Sequence, residues 1–261
     1  MGGIDMSVMF VTGATKNTGL AIAKKFAAEG FDVAISSRRG ENAEQVANRL
    51  ANEYGIRAKG YSMELEDTGD IRRVFDSVFA DFGRLDTFVA NAAHLGVGLG
   101  LLTSTPEDFD AVLSVNLKGT FFCCQNAANI MKKNGGGSIV LISSVHADAC
   151  IPDRCLYSIS KGGINTLAKA IAIELGPHNI RANSLVAGAI KTDRWEDMTD
   201  EQVAARRRNW PLGIESTGED IANAAFYLGT DLSRTVTGAE LTVDSGISAS
   251  LLGFNGGKRY D

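Results

Sequence analysis

Residues 8–19 read VMFVTGATKNTG, an apolar run that passes directly into a turn with two glycines. The run at 8–11 predicts a buried strand, and the apolar residues at helical spacing after the turn predict a helix. Between them, the glycines would bring backbone N–H groups and the positive end of the helix dipole close to a phosphate. The stretch therefore fits a dinucleotide site, while glycine-rich turns also occur for purely structural reasons.

The same unit of strand and helix repeats along the chain. Further strands are expected at 33–35, 58–61, 87–90 and 138–142, and helices at 41–54, 71–82 and 106–131. This alternation indicates right-handed βαβ crossovers and a parallel sheet that is covered on both faces. The predicted fold class is an α/β, Rossmann-like doubly wound parallel sheet with three α/β/α layers, with residues 1–261 as a single domain. Segment 193–210 is expected to form a lid, and 247–261 a C-terminal extension.

Composition excludes several classes of protein. The chain of 261 residues, 44% apolar and 22% charged, can bury a large core. A net charge of −5, with no basic cluster beyond residues 206–208, argues against nucleic-acid binding. No leader or membrane-length apolar segment is evident, so we expect a soluble, cytoplasmic protein without a membrane partner. The four cysteines lack CxxC spacing and are expected to be reduced thiols rather than disulfides or metal ligands: Cys123, Cys124, Cys150 and Cys155.

Residues 144–161 read SVHADACIPDRCLYSISK and carry the clearest chemistry. Tyr157 and Lys161 are four residues apart in a segment of helical period, which places them one turn apart on one face. A free tyrosine, with a pKa of about 10, is a poor acid or base at neutral pH, whereas an adjacent ammonium stabilises its phenolate. Ser144 could hydrogen-bond the same substrate oxygen. The alternative is an amphipathic helix with a solvated lysine, because YxxxK alone is a common pattern.

Taken together, these motifs resemble the short-chain dehydrogenase/reductase family in its single-domain form, over nearly the whole chain. The family's TGxxxGxG motif falls on Thr12, Gly13, Asn17 and Gly19, its NNAG motif on residues 90–93, and its mid-helix asparagine on Asn116. Its serine and YxxxK fall on Ser144, Tyr157 and Lys161. Residues 187–188 replace the PG after the sixth strand, and Thr192 matches the threonine that meets the nicotinamide carboxamide. Residues 211–222 and 242–246 are similar to the C-terminal signature.

The resemblance implies an enzyme that interconverts a ketone and a secondary alcohol with a nicotinamide cofactor. Tyr157 would transfer the proton, Ser144 would orient the oxygen, and Lys161 would stabilise the tyrosinate and hold the ribose hydroxyls. Asn116 would anchor a water behind the lysine. The expected cofactor-binding residues, besides Tyr157 and Lys161, are Gly13, Thr15, Lys16, Asn17, Thr18, Gly19, Ser37, Arg38, Arg39, Glu64, Leu65, Asn91, Ala92, Gly188, Ile190 and Thr192.

Two rival functions share parts of this pattern. Sugar-nucleotide epimerases of the same superfamily also use YxxxK, but they carry a longer C-terminal substrate domain for which this chain has no room. A non-catalytic NADP-binding regulator would not need Ser144, Tyr157 and Lys161, all of which are present. The sequence therefore favours an enzyme.

Several positions depart from the family pattern. Asn17 replaces the second glycine of the fingerprint; asparagine can adopt a left-handed conformation but brings a side chain close to the phosphates. ANAA replaces NNAG at 90–93, which alters two backbone contacts to the cofactor. Glu64 stands where the family often has the aspartate that holds the adenine amino group.

Cofactor choice is predicted from the end of the second strand. An NAD-dependent protein usually has an acidic residue there to bind the ribose 2′-OH, but this chain has Ser37. Arg38 and Arg39 follow, and Lys16 lies in the glycine turn, so up to three cations could surround a 2′-phosphate with no nearby carboxylate to repel it. We expect NADP(H); the alternative is a solvated basic turn.

The substrate pocket should be lined by segments that follow the carboxyl ends of the strands. The candidate substrate-binding residues, besides Ser144 and Tyr157, are His94, His146, Cys150 and Trp195. With Asp148, Asp153 and Arg154 they offer many hydrogen-bonding groups, which favours a small polar ketone or alcohol of the sugar, polyol or hydroxy-ketone type. A steroid or 3-oxoacyl ketone is the runner-up.

The helices around Asn116 and after Tyr157 carry apolar residues on more than one face, which suggests a subunit interface. Members of the family commonly pair through these two helices, so we expect a homotetramer. The alternative is that both helices lie deep in one core.

Overall fold

A single parallel sheet organises the part of the chain that the computed structural model describes, residues 6–250 apart from the side chain of Arg194. Its strands are β1 (Val8–Thr12), β2 (Asp32–Ser37), β3 (Ala58–Ser62), β4 (Thr87–Ala90), β5 (Gly137–Ser144), β6 (Ile180–Ala187) and β7 (Glu240–Val243). They lie side by side in the order β3-β2-β1-β4-β5-β6-β7. Every neighbouring pair is parallel, as the alternation of strands and helices predicted.

Helices cover both faces of the sheet. The helices of the described residues are α1 (Asn17–Ala28), α2 (Gly40–Tyr54), α3 (Thr68–Phe82), α4 (Pro106–Leu113), α5 (Thr120–Lys133), α6 (Cys155–Leu175), α7 (Asp200–Arg207) and α8 (Gly218–Gly229). One core packs α1, α2 and α8 against the sheet, and a second packs α3, α5 and α6 against the opposite face. Successive residues of β1 alternate between these cores, which explains why its whole apolar run is buried. The predicted fold class is confirmed.

The helix expected at 106–131 is interrupted. Residues Ser114–Gly119 form a π-helical segment between α4 and α5. A π-helix inserts a residue into the regular 3.6-residue period, and such segments frequently occur at functional sites. Asn116 lies in this segment and is buried.

Segment 193–210, the predicted lid, lies outside the sheet. It contains a short 3₁₀ turn (Asp193–Trp195) and α7. Trp195 and Trp210 are both buried, and their rings lie 5.8 Å apart. The Arg206 guanidinium lies 5.2 Å from the centroid of the Trp195 ring. The segment therefore has a small aromatic core of its own.

The chain order reverses between β1 and β4, which are neighbours at the centre of the sheet. In doubly wound sheets the crevice beyond the carboxyl ends of such strands is where ligands bind. The glycine turn follows β1 and Asn91 follows β4, so both sequence motifs meet at this crevice. Among residues 6–250, no helix is long and apolar enough to cross a membrane. The C-terminal extension expected at 247–261 begins with a 3₁₀ turn (Ile247–Ala249), and its residues 251–261 lie outside the described residues.

Candidate active site

The turns after β1 and β4 are joined by hydrogen bonds across the crevice. The Thr12 hydroxyl accepts hydrogen bonds from the backbone N–H groups of Asn91 and Ala92, both at 3.1 Å. The Asn91 side-chain amide donates to the backbone oxygens of Thr12 and Gly13 at 2.9 and 3.1 Å. The ANAA variant therefore keeps its asparagine in place, and Asn91 fixes the glycine turn rather than pointing away from it.

The glycine turn fits a phosphate. Gly13 has a φ of 67°, which favours glycine, and a Cβ on Gly19 would lie 2.4 Å from the Gly13 oxygen, so α1 packs directly on the turn. Lys16 precedes α1 and makes no side-chain hydrogen bond to the first-turn N–H groups. These groups, at the positive end of the helix dipole, suit the pyrophosphate of a dinucleotide. Thr15 and Thr18 are half-buried within the turn.

Asn17 adopts the left-handed conformation expected of it, with a φ of 49°. Its side chain, however, contacts the segment after β6 as well as bordering the phosphate turn, through hydrogen bonds with Asp193. The neighbouring Lys16 Nζ lies 2.7 Å from an Asp193 carboxylate oxygen. The expectation that no carboxylate lies near the three cations is therefore wrong for Lys16, because the lid brings Asp193 to it.

The end of β2 keeps its two arginines at the surface. The Ser37 hydroxyl donates to the Arg39 backbone oxygen at 2.6 Å, and the Arg38 backbone oxygen accepts from the Ser62 hydroxyl at 3.1 Å. These bonds fix the turn, while both arginine side chains are exposed. The guanidinium groups are thus presented from an ordered backbone.

Residues 64–65, which follow β3, lie against the π-helical segment. Glu64 is exposed, and its backbone N–H donates to an Asp70 carboxylate oxygen at 2.8 Å. Leu65 is buried, and its oxygen would lie 2.4 Å from a Cβ on Gly119. Only glycine allows this approach, which brings the backbone of 64–65 against the π-helical segment that holds Asn116.

The segment after β6 runs along the opposite wall. A Cβ on Gly188 would lie 2.4 Å from the Asp244 Cβ, so the backbone there has no room for a side chain. Ile190 forms a parallel bridge with Ser216, and Thr192 accepts a hydrogen bond from the Trp195 N–H at 2.9 Å through its backbone oxygen. These contacts fix the path from β6 to the lid.

Lys161 is buried beside Tyr157. Its Nζ donates to the Ile142 backbone oxygen at 2.7 Å and lies 5.5 Å from the centroid of the Tyr157 ring. Burial lowers the pKa of Lys161 to about 8. The alternative of a solvated lysine is excluded, because only 4% of the residue is exposed.

Ser144 is the last residue of β5 and is buried. Its hydroxyl oxygen accepts a hydrogen bond from the His146 backbone N–H at 3.2 Å. The His146 ring packs edge-on against the Tyr157 ring, with 5.8 Å between centroids. The loop after β5 thus returns towards the tyrosine, as its sequence suggested.

Asn116 joins three parts of the site. Its side-chain oxygen accepts from the His94 N–H at 2.6 Å, and its amide donates to the His94 oxygen at 2.9 Å and to the Ser160 hydroxyl at 3.0 Å. The Ser160 hydroxyl in turn donates to the Tyr157 backbone oxygen at 2.7 Å. Ser160 was missed in the sequence, although a small polar residue next to Lys161 on a buried helix face was a usable signal.

The four candidate substrate-binding side chains differ in their placement. His146 is half-buried, and its pKa is lowered by burial and by the nearby Arg154 charge, so its imidazole is neutral at pH 7. His94 is exposed, and its Nδ1 accepts from the Gly96 N–H at 3.2 Å. Cys150 lines a cavity of about 490 Å³ together with Cys155 and Ile159, whereas Tyr157 is not part of that lining. Trp195 is buried against Trp210.

The arrangement therefore combines a phenol, a buried ammonium and a buried hydroxyl at the carboxyl end of β5. A phenol beside an ammonium can transfer a proton to or from an oxygen, and the hydroxyl can hold that oxygen. The adjacent glycine turn with its uncapped helix start suits a dinucleotide. Fold and site together define a nicotinamide-dependent oxidoreductase.

Comparison with known proteins agrees with this class. A family model described as enoyl-(acyl carrier protein) reductase matches residues 13–248. The 3alpha-hydroxysteroid dehydrogenase of Mediterraneibacter gnavus is 34% identical over 238 residues, covering 91% of this chain and 95% of that protein. The NADP-dependent mannitol dehydrogenase of Hypocrea jecorina is 34% identical over 245 residues, covering 92% and 91%. A gluconate 5-dehydrogenase from Burkholderia cenocepacia, solved with NADP and tartrate, has a TM-score of 0.88 at 27% identity and covers 94% and 96%.

The chain belongs to the short-chain dehydrogenase/reductase family. It is an oxidoreductase of the kind that acts on CH–OH groups and uses a nicotinamide cofactor. The resemblance noted in the sequence is confirmed.

The buried ammonium predicts a stability effect that depends on pH. With its pKa lowered to about 8 in the folded protein, Lys161 destabilises the fold by about 3 kcal/mol at pH 7, where the unfolded side chain is charged in water. Lys161→Met removes this cost but leaves the Ile142 oxygen without its donor, a loss of about 1 kcal/mol. We expect the variant to be more stable than the wild type by about 2 kcal/mol at pH 7.

As pH rises from the pKa of Lys161 in the folded protein towards its pKa in the unfolded chain, the folded wild type is no longer destabilised by a buried charge. The stability difference between Lys161→Met and the wild type should therefore shrink by pH 10. Urea unfolding of the two cofactor-free proteins at pH 7 and at pH 10 measures this difference in the free energy of unfolding. The control is Lys132→Met, at an exposed lysine on α5, whose difference from the wild type should not vary in this way. A Lys161→Met variant that is less stable at pH 7, by an amount independent of pH, would contradict the account.

Proposed function

We propose that the protein is an NADP(H)-dependent oxidoreductase that interconverts a ketone and a secondary alcohol on a small polar substrate. The observation that carries the proposal is the Tyr157 ring beside the buried Lys161 ammonium, with the Ser144 hydroxyl at the adjoining strand end. We infer that residues 1–261 act as one domain, since the family match spans residues 13–248.

In the reductive direction, Tyr157 donates its phenolic proton to the carbonyl oxygen, which Ser144 holds by a hydrogen bond. A bound nicotinamide cofactor would supply the hydride for the carbonyl carbon. Lys161 stabilises the tyrosinate that remains, and its position also suits the ribose hydroxyls. Oxidation of the alcohol is the reverse, with the tyrosinate as the base.

Asn116 and Ser160 fix the position of the backbone that carries Tyr157. Their hydrogen bonds connect the π-helical segment to the backbone of Tyr157 and to the turn at His94. We assign Asn116 the role that the family gives it, anchoring a water behind Lys161. Ser160 acts on the orientation of the helix that carries Tyr157 and Lys161.

The preference for NADP(H) is supported by the charge at the end of β2. Ser37 leaves no carboxylate at the position that would hold a ribose 2′-OH, and Arg38 and Arg39 present exposed guanidinium groups from an ordered turn. Lys16 contributes less than its sequence position suggested, because it pairs with Asp193. Two relatives are named NADP-dependent, and one similar structure was solved with NADP.

The cofactor proposal predicts the effect of exchanging this turn. Ser37→Asp combined with Arg38→Ile adds a carboxylate for the 2′-OH and removes a phosphate-binding cation, so preference should swing towards NAD(H) by more than tenfold in kcat/KM. Steady-state kinetics with both cofactors measure the change. The matched control is Arg57→Ala, an exposed arginine paired with Asp32 at the far end of β2, which should leave the ratio unaltered. A wild type that works equally well with NADH would overturn the proposal.

A small polar substrate is supported by the hydrogen-bonding groups around Tyr157. The neutral His146 imidazole contacts the tyrosine ring, and the Arg154 guanidinium donates to the Leu95 oxygen at 2.9 Å in the loop after β4. A mannitol dehydrogenase and a gluconate 5-dehydrogenase are among the proteins similar to this chain. A steroid or 3-oxoacyl ketone is the second candidate, favoured by the hydroxysteroid dehydrogenase of equal identity. A non-catalytic NADP-binding regulator is disfavoured, because it would not need the assembled set of Ser144, Tyr157 and Lys161.

An NADPH-consumption screen across polyol-derived ketones, sugar-acid ketones, steroids and 3-oxoacyl thioesters tests the substrate class. We expect turnover with the polar ketones and at least tenfold lower kcat/KM with the apolar ones, since the neutral His146 and the Arg154 guanidinium would lose their substrate partners. Strong activity confined to the steroids or thioesters would contradict the polar assignment. NADPH binding without turnover of any ketone would favour the regulator.

A homotetramer is the proposed assembly. Phe109, Phe121, Ile159 and Ile173 leave apolar surface exposed on α4, α5 and α6. Such a surface suits a second copy of the chain. Other apolar residues of these helices, including Ile130, Ile164 and Ile171, belong to the core. A cytoplasmic location is part of the proposal, and the four free thiols agree with it.

A further inference from the structure

Asp193 connects the lid to the phosphate turn across the mouth of the cleft. The Asn17 amide donates to one Asp193 carboxylate oxygen at 3.2 Å, and the Asp193 backbone N–H donates back to the Asn17 side-chain oxygen at 3.3 Å. Lys16 Nζ donates to the other carboxylate oxygen at 2.7 Å. Three contacts thus join residues that are more than 170 positions apart in the chain.

These contacts explain why an asparagine occupies a position with positive φ. Glycine would adopt the left-handed backbone of residue 17 at lower cost, but it has no side chain to bind Asp193. Asparagine tolerates this conformation better than most residues and presents both a donor and an acceptor. The side chain makes a reciprocal pair of hydrogen bonds, whereas an ionised carboxylate at this position could only accept.

The segment that Asp193 belongs to is fixed at two other points. Before Asp193, the Lys191 backbone N–H donates to the Ser216 oxygen at 2.8 Å. After Asp193, Trp195 packs against Trp210. Residues 191–195 therefore form a strap that is anchored on one wall of the cleft and contacts the opposite wall through Lys16 and Asn17.

We propose that Asn17 is a positioning residue that, through Asp193, holds the strap of residues 191–195 across the cofactor cleft and slows release of the bound dinucleotide. The inference rests on the proposed cofactor site, since the glycine turn would hold the pyrophosphate and Thr192 would meet the nicotinamide. The Lys16 ion pair contributes less than the Asn17 contacts, because its side chains are 72% and 40% exposed and an exposed pair is worth little.

The rate of NADPH dissociation, followed by stopped-flow fluorescence with an excess of NADP⁺ as displacer, tests the proposal. Asn17→Gly keeps the backbone conformation and removes both hydrogen bonds to Asp193. It should speed dissociation at least fivefold, because one net hydrogen bond alone corresponds to about fivefold. Asn17→Asp also tolerates the left-handed backbone but faces the Asp193 carboxylate with a second one, so it should dissociate at least as fast as the glycine variant.

Asp193 variants separate the effect of the Asn17 hydrogen bonds from that of the Lys16 ion pair. Asp193→Asn keeps an acceptor for the Asn17 amide and loses the charge that pairs with Lys16, so its dissociation rate should stay within about twofold of the wild type. Asp193→Ala loses the bond from the Asn17 amide but keeps the bond from the residue 193 backbone N–H to the Asn17 oxygen, so it should speed dissociation by no more than Asn17→Gly does. The double variant should be no faster than Asn17→Gly alone, because that change already removes both hydrogen bonds. Additive effects in the double variant, or an Asp193→Asn rate equal to that of Asp193→Ala, would overturn the role of Asn17.

A second readout needs no cofactor. Hydrogen exchange of residues 191–195 in the nucleotide-free protein should be faster in Asn17→Gly than in the wild type. The control for both measurements is Lys25→Ala, which removes another 2.7 Å ion pair on α1, away from the turn. If the wild type bound no NADPH, the proposed function would fail while exchange still tested the contact. Unchanged exchange in Asn17→Gly would overturn the inference by itself.

Discussion

The burial of the Lys161 ammonium group constrains the positions of the elements around it. Lys161 Nζ has a single described hydrogen bond, to the Ile142 oxygen on β5, and only 4% of the residue is exposed. Keeping a charge there costs free energy that the packing of α6 against β5 and the face of the Tyr157 ring must offset. The same burial places the ammonium where it stabilises a tyrosinate most strongly, because a low local dielectric strengthens the attraction.

This constraint extends to the neighbouring elements. Tyr157 and Lys161 hold their relation only if α6 keeps its register against β5, and the Asn116–Ser160 hydrogen bond fixes that helix from its other side. The π-helical segment lets Asn116 turn inward to reach both Ser160 and the backbone of His94. A local irregularity in one helix is thereby coupled to the geometry of Tyr157, the proposed proton-transferring group, on another.

Much of the fold was predictable because its signals are local. The apolar runs place β1 to β5 within two residues of their observed bounds, and the helical period does the same for α2. The relation of Tyr157 to Lys161 was also predictable, since four residues in a helix fix one turn. By contrast, the π-helical segment was missed because one extra residue hardly changes the hydrophobic pattern of residues 106–131.

The contacts of Asp193 and Trp195 could not be read from the sequence for a different reason. Asp193 contacts Lys16 and Asn17 only after the whole sheet is assembled, so no local sequence pattern predicts these contacts. Trp195 has the character of a pocket residue, yet its ring finds Trp210 within the lid. Contacts between distant loops depend on how the lid folds on the sheet, and this is decided by tertiary packing rather than by propensity.

The most direct test of the account is a Tyr157→Phe variant, which removes the phenolic proton and leaves the ring beside Lys161. Ketone reduction by NADPH and equilibrium binding of NADPH are measured on the same preparation. The account predicts that turnover falls by about 10²- to 10⁴-fold, the usual contribution of a general acid, while the Kd for NADPH changes by no more than about twofold. Turnover near the wild-type rate would show that the proton comes from another group and would contradict the account.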